Sequence, residues 1–344
     1  MEPIGVGIVG YGFAGRKFHA YLIAQEPGLR LCGVASRDAG RRAQAASDWG
    51  VPTCPSLEDL LRDEAVRLVV IATPHDSHRD LAIRAMEAGR HVVVDKIMCL
   101  NAHEAEAMIA ARDRAGVVLS VFHNRRWDGD FMTVRKVVSE GLLGRVNRYE
   151  CAILRYRGPR GWRGEAARAG SLLFDWGAHL VDQGLILGGA PESVVCEVTP
   201  DRVWGTSVEG HVHCRIRFPG GTVFAVDIGN LAQIGKPRWY VLGDRGALVK
   251  EGLDPQEAAM LAGDIGAAVE PPENRARVVT EVGGVRADMR LETLRGDWRA
   301  YYRNVAEALG AGKGLLVNPE EVLVAMRVMD AAMVSARTGE AVGI

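Results

Sequence analysis

The feature that most constrains the fold is a glycine turn near the start of the chain. An apolar run, Ile4–Val9, leads into residues 10–15, which read Gly-Tyr-Gly-Phe-Ala-Gly, and residues 14–25 continue with helical apolar spacing. A strand, a tight turn and a helix in this order predict a unit that binds the pyrophosphate of a dinucleotide. Gly10 would permit the turn, Gly12 would leave room for phosphates, and Gly15 would let helix and strand pack closely. A purely structural turn is the alternative.

Strands and helices alternate through the first third of the chain. Apolar runs at 29–35, 67–72, 91–94 and 117–122 predict strands, and helical stretches with capping residues separate them. This alternation predicts a parallel, doubly wound sheet with right-handed crossovers. Ligands of such sheets bind beyond the C-terminal strand ends. The strand ends that should border one crevice are Gly10, Ser36, Thr73, Lys96 and His123.

After residue 126 the pattern changes to that of an α+β domain. Residues 257–296 are polar and contain several glycines, which predicts a long surface loop. We predict an α/β Rossmann domain at 1–122 and an α+β domain with a large, mostly antiparallel open sheet at 123–344. The predicted strands are 146–156, 194–198, 208–218, 222–228 and 239–249, and the predicted helices are 131–140, 174–187 and 319–337.

The composition narrows the class of protein. With 48% apolar residues and a net charge of −1, the chain has no mark of disorder or nucleic-acid binding. No apolar run approaches the length of a membrane span, and the N-terminus enters the first strand without a signal peptide. The six cysteines are scattered, without a C-x-x-C pair. They predict a cytoplasmic protein with reduced thiols.

Several motifs together resemble one family. They are Gly10-x-Gly12-x-x-Gly15, Ala72-Thr73-Pro74 with His78, Asp95-Lys96, and Asp175-x-x-x-His179. With the open sheet, they resemble the Gfo/Idh/MocA family, named after glucose–fructose oxidoreductase and inositol dehydrogenase. The resemblance covers almost the whole chain, and residues 122–127 are similar to the scyllo-inositol dehydrogenase-like branch. The chain departs from the family at Ile97, where proline is usual, and has Asp95 in place of glutamate.

The resemblance implies an NAD(P)-dependent dehydrogenase or reductase that acts on a secondary hydroxyl or ketone of a sugar, inositol or polyol. Lys96, beyond a buried strand, could stabilise alkoxide charge on the substrate oxygen. Asp175 and His179 are four residues apart and share a helix face, where His179 could take the hydroxyl proton. Asp175 could bind a substrate hydroxyl or support the imidazolium. A surface lysine and a helix-surface salt bridge are the alternatives.

The predicted cofactor is NADP, with NAD as the alternative. The second strand ends at Ser36 and Arg37 without an acid at its tip, and these side chains suit the extra phosphate of NADP. Asp38 would repel that phosphate if the strand ended later, whereas Arg41 and Arg42 add positive charge. The residues predicted to contact the cofactor, several of them by resemblance, are Gly10, Gly12, Phe13, Ala14, Gly15, Ser36, Arg37, Thr73, Pro74, His78, Asp95, Lys96, Arg126, Trp162 and Arg163.

Other interpretations stay open at this point. Some relatives cleave glycosides through transient oxidation by bound NAD, and a non-catalytic regulator could sense the cofactor through the same fold. His211 and His213 share a strand face, but no further ligands are evident and no metal is predicted. Relatives bury the free face of the second sheet against another subunit. The resemblance therefore implies a homodimer or homotetramer with a small-molecule sugar or polyol substrate, and no nucleic-acid or membrane partner.

Overall fold

The computed structural model describes residues 2–344, which form two compact units. The first unit contains the chain up to Asn124 together with residues 298–326. The second contains residues 125–297 and 327–344. The predicted boundary at 122 lies close to the first crossing, but the prediction of one continuous domain at 123–344 differs from the structure. Residues 298–326 belong with the first unit because their aromatic side chains complete its core.

The first unit is built on a parallel six-stranded sheet in the order β3-β2-β1-β4-β5-β6. All residues of the first and fourth strands are buried, which explains their continuous apolar sequence. The predicted doubly wound sheet is confirmed. Its strands are β1 (Ile4–Val9), β2 (Leu29–Ala35), β3 (Thr53–Cys54), β4 (Leu68–Ile71), β5 (His91–Val94) and β6 (Leu119–Val121).

The helices of the first unit begin and end at residues suited to helix termini. Asn101 Oδ1 accepts a hydrogen bond from Glu104 N at 2.9 Å, and Gly116 ends the same helix with φ 63°. Ser56 caps another helix by accepting from Asp59 N. The α-helices are Tyr21–Ala24, Ala39–Trp49, Leu57–Leu61, His78–Glu87, Ala102–Ala115 and Arg299–Ala311.

The helix Arg299–Ala311, which the sequence analysis missed, packs its aromatic residues into the first unit. The rings of Tyr301 and Phe122 have centroids 5.0 Å apart, and Tyr301 Oη donates to Ser120 Oγ at 3.0 Å. Tyr302 Oη lies 2.6 Å from His19 Nδ1, and both side chains are fully buried. These contacts explain why the chain returns to its first unit near its end.

The second unit is built on a mixed nine-stranded sheet in the order β14-β13-β12-β11-β7-β10-β9-β8-β15. Within residues 2–344, only the central pair of β7 and β10 is parallel in this sheet. The predicted mostly antiparallel sheet is confirmed. Its strands are β7 (Val146–Leu154), β8 (Ser193–Pro200), β9 (Glu209–Arg217), β10 (Val223–Gly229), β11 (Trp239–Gly243), β12 (Ala247–Lys250), β13 (Ala276–Val282), β14 (Val285–Leu291) and β15 (Val342–Gly343).

Two predictions for this sheet are wrong. The segment 239–249 is two strands rather than one, because the chain reverses between Gly243 and Ala247. The segment 257–296 is not only a surface loop, since it supplies the hairpin β13–β14 at one edge of the sheet. Gly283 and Gly284 make that hairpin turn with φ values of 59° and 82°. Because β14 is an exposed edge strand in which every second residue is charged, it was predicted as part of a loop.

Helices cover one face of the large sheet. Val212, Cys214 and Ile216 of β9 are buried on this face, whereas His211 and His213 lie on the other. Gly184 lies on the helix Ala178–Gly188, and a Cβ atom on it would lie 2.8 Å from the Phe224 side chain of β10. This helix therefore packs directly on the sheet. The helices are Gly129–Ser139, Ala178–Gly188 and Gln256–Leu261, and Pro319–Thr338 begins in the first unit and ends in the second. No helix within residues 2–344 is long and apolar enough to span a bilayer.

Tyr302→Phe tests the contribution of the returning helix to stability. The change removes the hydroxyl that bonds His19 Nδ1 in the core, and we expect the free energy of unfolding to fall by about 1–3 kcal/mol. Tyr240→Phe makes the same change at a side chain that is 36% exposed and should shift it by less than about 0.5 kcal/mol. Urea unfolding followed by circular dichroism measures both. Equal losses in the two variants would contradict the assignment.

Candidate active site

The glycine turn has the shape of a phosphate cradle. Gly10 has φ 97°, and a Cβ atom there would lie 2.5 Å from the carbonyl oxygen of Ala72. A Cβ on Gly15 would lie 2.0 Å from the carbonyl oxygen of Gly10. At Gly12, by contrast, the nearest atom to a Cβ among residues 2–344, apart from its neighbours in the chain, is Nη1 of Arg41, at 3.7 Å. Two glycines therefore allow close packing and the middle one leaves open space, as a bound dinucleotide requires.

The helix after this turn differs from the regular one predicted over 14–25. Residues Gly15–Ala20 form a π-helix, and an α-helix follows only at Tyr21–Ala24. Such wide turns are rare and often occur at functional sites. Phe13 is 53% exposed on the turn, whereas Tyr11 is 2% exposed beneath it.

Tyr11 fixes the glycine turn to the end of the helix Ala39–Trp49. Its hydroxyl donates to Asp48 Oδ2 at 2.8 Å and accepts from Trp49 Nε1 at 2.8 Å. Arg16 Nε holds the same carboxylate at 2.7 Å. Burial, assisted by the hydrogen bond to Asp48, raises the pKa of Tyr11 to about 12, so the phenol stays protonated.

After the end of β2, the acidic side chain of Asp38 is used to cap the next helix. Asp38 caps the helix Ala39–Trp49 by accepting from Arg41 N at 3.0 Å, and this bond lowers the pKa of Asp38. Arg42 Nη1 donates to the carbonyl oxygens of Ser36 and Arg37. The side chains of Arg37 and Arg41 are both exposed. Arg41 lies beside Gly12, and its Nε is 4.0 Å from Asp38 Oδ2, a long ion-pair distance at the surface.

The loops after β4 and β5 are joined by a buried histidine. His78 is fully buried, with Nδ1 2.8 Å from the carbonyl oxygen of Ile97 and Nε2 2.9 Å from that of Thr73. Burial lowers the pKa of His78. Thr73, directly before Pro74, also accepts through Oγ1 a hydrogen bond of 2.7 Å from Ser77 Oγ. This position favours a supporting role for His78 over the predicted direct contact with the cofactor.

Lys96 follows β5 at the C-terminal edge of the parallel sheet, where it is partly exposed, and its peptide bond to Ile97 is cis. The backbone N–H of Lys96 donates to Asp95 Oδ1 at 2.9 Å. His19 Nε2 lies 3.7 Å from the same oxygen, an ion-pair distance longer than a hydrogen bond. Burial alone would raise the pKa of Asp95, but His19 and the Lys96 ammonium outweigh it and hold this pKa well below its usual range. The carboxylate therefore stays ionised beside the lysine.

The second unit holds the remaining predicted site residues around the helix Ala178–Gly188. Arg126 binds Asp182 through two hydrogen bonds, of 2.9 and 2.7 Å, and both side chains are buried. Gln183 Nε2 donates to the carbonyl oxygen of Arg125 at 2.9 Å. Arg126 and Asp182 are therefore a buried ion pair and not solvated surface charges. They anchor the helix that carries His179.

Asp175 and His179 lie on a helix whose first turn is irregular. Residues Leu173–Gly177 form a π-helix, and the α-helix begins at Ala178, so the predicted regular i, i+4 spacing is not observed. Arg163 Nε lies 3.4 Å from Asp175 Oδ1, and the Arg163 guanidinium lies 5.0 Å from the ring centroid of Trp162. His179 is 5% exposed, which argues against the helix-surface salt bridge.

An aromatic ring between the two predicted catalytic residues was missed. The rings of Trp176 and His179 have centroids 6.3 Å apart in a T-shaped arrangement. The Cζ atoms of Arg125 and Arg155 lie 4.5 and 4.6 Å from the Trp176 centroid. The tryptophan was visible within the Asp175–His179 motif, but nothing in the sequence indicated that Arg155 would reach it.

The histidines on the free face of the large sheet surround a carboxylate. His211 Nε2 lies 2.5 Å from Asp227 Oδ1, His213 Nδ1 lies 3.9 Å from it, and Lys236 contacts the other oxygen. Burial alone would raise the pKa of Asp227, but these three side chains outweigh burial and hold the pKa below its usual range. Within residues 2–344 no group of three or more His, Cys, Asp or Glu side chains could hold a metal ion.

Comparisons with known proteins agree with this architecture. A family model described as an oxidoreductase family with an NAD-binding Rossmann fold matches residues 4–123, and a Gfo/Idh/MocA C-terminal domain model matches residues 131–249. The chain is 32% identical to scyllo-inositol 2-dehydrogenase (NADP(+)) IolW of Bacillus subtilis, over 98% of this chain and 95% of that protein. It is 26% identical to 1,5-anhydro-D-fructose reductase of Ensifer adhaerens, over 73% and 77% of the two chains.

A solved structure shows the same fold over the full length. The oxidoreductase yvaA from Bacillus subtilis superposes with a TM-score of 0.92 at 30% identity, covering 100% of this chain and 99% of the other. The predicted resemblance is thereby confirmed for both parts of the chain. The protein belongs to the Gfo/Idh/MocA family and is an NAD(P)-dependent oxidoreductase that acts on CH–OH groups.

Proposed function

We propose that the enzyme transfers hydride between NADP and a secondary hydroxyl or ketone of a sugar, inositol or polyol. The observation that carries the proposal is the position of Lys96. It follows β5 on the C-terminal edge of the sheet whose first strand enters the glycine turn. Ligands of doubly wound sheets bind at this edge. The names of the relatives, a scyllo-inositol dehydrogenase and an anhydrofructose reductase, support the substrate class.

The cofactor, when bound, supplies the hydride acceptor or donor, and the chain supplies binding and electrostatics. Gly10, Gly12 and Gly15 would hold the pyrophosphate, since the turn has open space only at the middle glycine. The Lys96 ammonium would hydrogen-bond the substrate oxygen and stabilise negative charge on it. Asp95, held ionised in its buried position, would orient the lysine loop through the backbone N–H of Lys96.

His179 would take or return the hydroxyl proton, because imidazole exchanges protons near neutral pH. The helix that carries His179 is held by two buried contacts. Asp182 accepts from Arg126, and Gln183 donates to the carbonyl oxygen of Arg125. The imidazole ring would therefore be positioned before substrate binds. Asp175 would bind a neighbouring substrate hydroxyl, while Arg163 restrains its carboxylate. We assign Trp162, Arg163 and Arg126 to the borders of the cofactor site, and Phe13, Ala14, Thr73 and Pro74 to its walls.

Replacing the two proposed catalytic side chains tests this mechanism. We expect His179→Asn to lower kcat by about a hundredfold with cofactor affinity unchanged, because it removes the acid–base group. Lys96→Ala should lower kcat by a comparable factor through lost charge stabilisation. His103→Asn and Lys136→Ala make matched changes at exposed positions and should leave kcat unchanged. Near-native turnover in both site variants would refute the mechanism.

The choice of cofactor rests on the basic side chains that follow β2. We expect NADP to bind more tightly than NAD, because Arg37 and Arg41 can grip the extra phosphate while Asp38 caps its helix. Arg37→Ala and Arg41→Ala should each weaken NADP binding by about tenfold without affecting NAD. Arg30→Ala, at an exposed position of the preceding strand β2, serves as the control. Fluorescence titrations of the native protein and each variant with NADP and with NAD measure the affinities. Tighter NAD binding by the native protein would overturn this choice.

We also propose that the enzyme is a homodimer or homotetramer formed through the large sheet. Helices cover only one face of β9 and β10, and Asp227 on the other face is surrounded by His211, His213 and Lys236 rather than by apolar side chains. A second copy would cover this face, as the resemblance implies. Light scattering at micromolar concentration should give a dimer or tetramer mass. A strictly monomeric mass would exclude this assembly.

A further inference from the structure

Two arginines near Trp176 differ in how their charges are balanced. Arg125 is buried and paired, with Nη1 3.1 Å from Asp128 Oδ2 and Nη2 2.7 Å from Glu257 Oε2. The guanidinium of Arg155 makes no hydrogen bond or ion pair within residues 2–344, and its Nη2 is shielded from solvent. Its Cζ atom lies 4.6 Å from the centroid of the Trp176 ring. Arg155 is therefore a surplus cation with an unsatisfied donor.

The carboxylates in this region already have arginine partners. Glu257 is bound by Arg125, and Asp175 by Arg163 at 3.4 Å. Asp175 and Glu257 act on Arg155 only through their charges. Burial, and next the charge of Arg157, lower the pKa of Arg155, so the surroundings destabilise its cation. A fixed, incompletely compensated guanidinium is suited to binding an anion that arrives with a ligand.

The position of Arg155 links it to the proposed catalytic side chains of the same unit. It follows β7 and reaches Trp176, which directly follows Asp175 in the chain. His179 is another neighbour of that ring, at 6.3 Å between centroids. An anion bound by Arg155 would therefore lie near a tryptophan that also contacts the imidazole proposed to handle the substrate proton.

We propose that the substrate carries an anionic group, a carboxylate or a phosphate monoester, and that Arg155 binds this group beside Trp176. The proposal rests on the proposed function, because it narrows the substrate class of the same site to sugar acids or sugar phosphates. A neutral hydroxyl could accept one hydrogen bond from Nη2 but would leave the charge uncompensated. Bonds between guanidinium and an anion are about twice as strong as neutral ones.

Calorimetric titration of the full-length protein loaded with NADP tests the proposal without requiring turnover. The probes are D-glucuronate, D-glucose 6-phosphate and neutral myo-inositol. We expect at least one anionic probe to bind about tenfold or more tightly than myo-inositol. The better of the two anionic probes identifies the group as carboxylate or phosphate. If neither binds more tightly than myo-inositol, the proposal is wrong.

Variants of Arg155 separate anion binding from a structural role. Arg155→Met should weaken binding of the anionic probe by about tenfold while binding of myo-inositol stays unchanged, and Arg155→Lys should restore part of the loss. Arg157→Met removes the same charge from an exposed neighbour and should have no effect. Native-like binding of the anionic probe by Arg155→Met would overturn the proposal, and so would an equal loss for all three probes.

The proposed function can fail separately from this inference. Formation of reduced nicotinamide is followed by its absorbance for each probe. Oxidation of myo-inositol, with no preference for either anionic probe, would support the proposed function and refute the anion site. Arg155-dependent binding of an anionic probe, with no hydride transfer to the cofactor from any substrate tested, would support the anion site and refute the proposed function.

Discussion

Close contact between main-chain atoms at the glycine turn is the constraint on which the rest of the first unit depends. A Cβ atom on Gly15 would lie 2.0 Å from the carbonyl oxygen of Gly10, a distance that no packed side chain allows. The helix can therefore approach the end of β1 this closely only because residue 15 has no side chain. The direction in which the helix leaves β1 brings His19 into the core against Tyr302. The same direction places His19 3.7 Å from Asp95, next to Lys96. The steric requirement for glycine at residue 15 thus affects both the glycine turn and the residues next to Lys96.

Buried polar side chains hold the second unit's site in a comparable way. Asp130 is fully buried and accepts from Arg238 Nε at 2.8 Å and from Trp239 Nε1 at 3.0 Å. Arg238 also reaches Gln183, whose amide bonds the carbonyl oxygen of Arg125. Removing one member of such a network leaves an unpaired charge in the core. The network restricts the helix that carries His179 more tightly than apolar contacts alone would.

Much of the fold could be predicted because burial acts on short sequence patterns. Strands buried on both faces read as continuous apolar runs, and β2 and β5 begin and end at the predicted residues. The π-helices at Gly15–Ala20 and Leu173–Gly177 could not be predicted, since apolar spacing does not distinguish a π-helix from an α-helix. Two other features depend on contacts between distant segments. They are the packing of residues 298–326 in the first unit and the lack of a carboxylate partner for Arg155 within residues 2–344. Which arginine receives a carboxylate is decided by tertiary structure, and the sequence shows only that several are present.

The division of the chain has a consequence for how such a protein can evolve. The chain passes from one unit to the other after residues 124, 297 and 326, so neither unit is encoded by a single uninterrupted stretch. A single recombination event at the first crossing would transfer a nucleotide-binding unit without the helix that contributes Tyr301 and Tyr302 to its core. Exchange of one unit between relatives would need several simultaneous breakpoints. The two units are therefore expected to be inherited together, and new substrate preferences to arise by point substitution rather than by shuffling of modules.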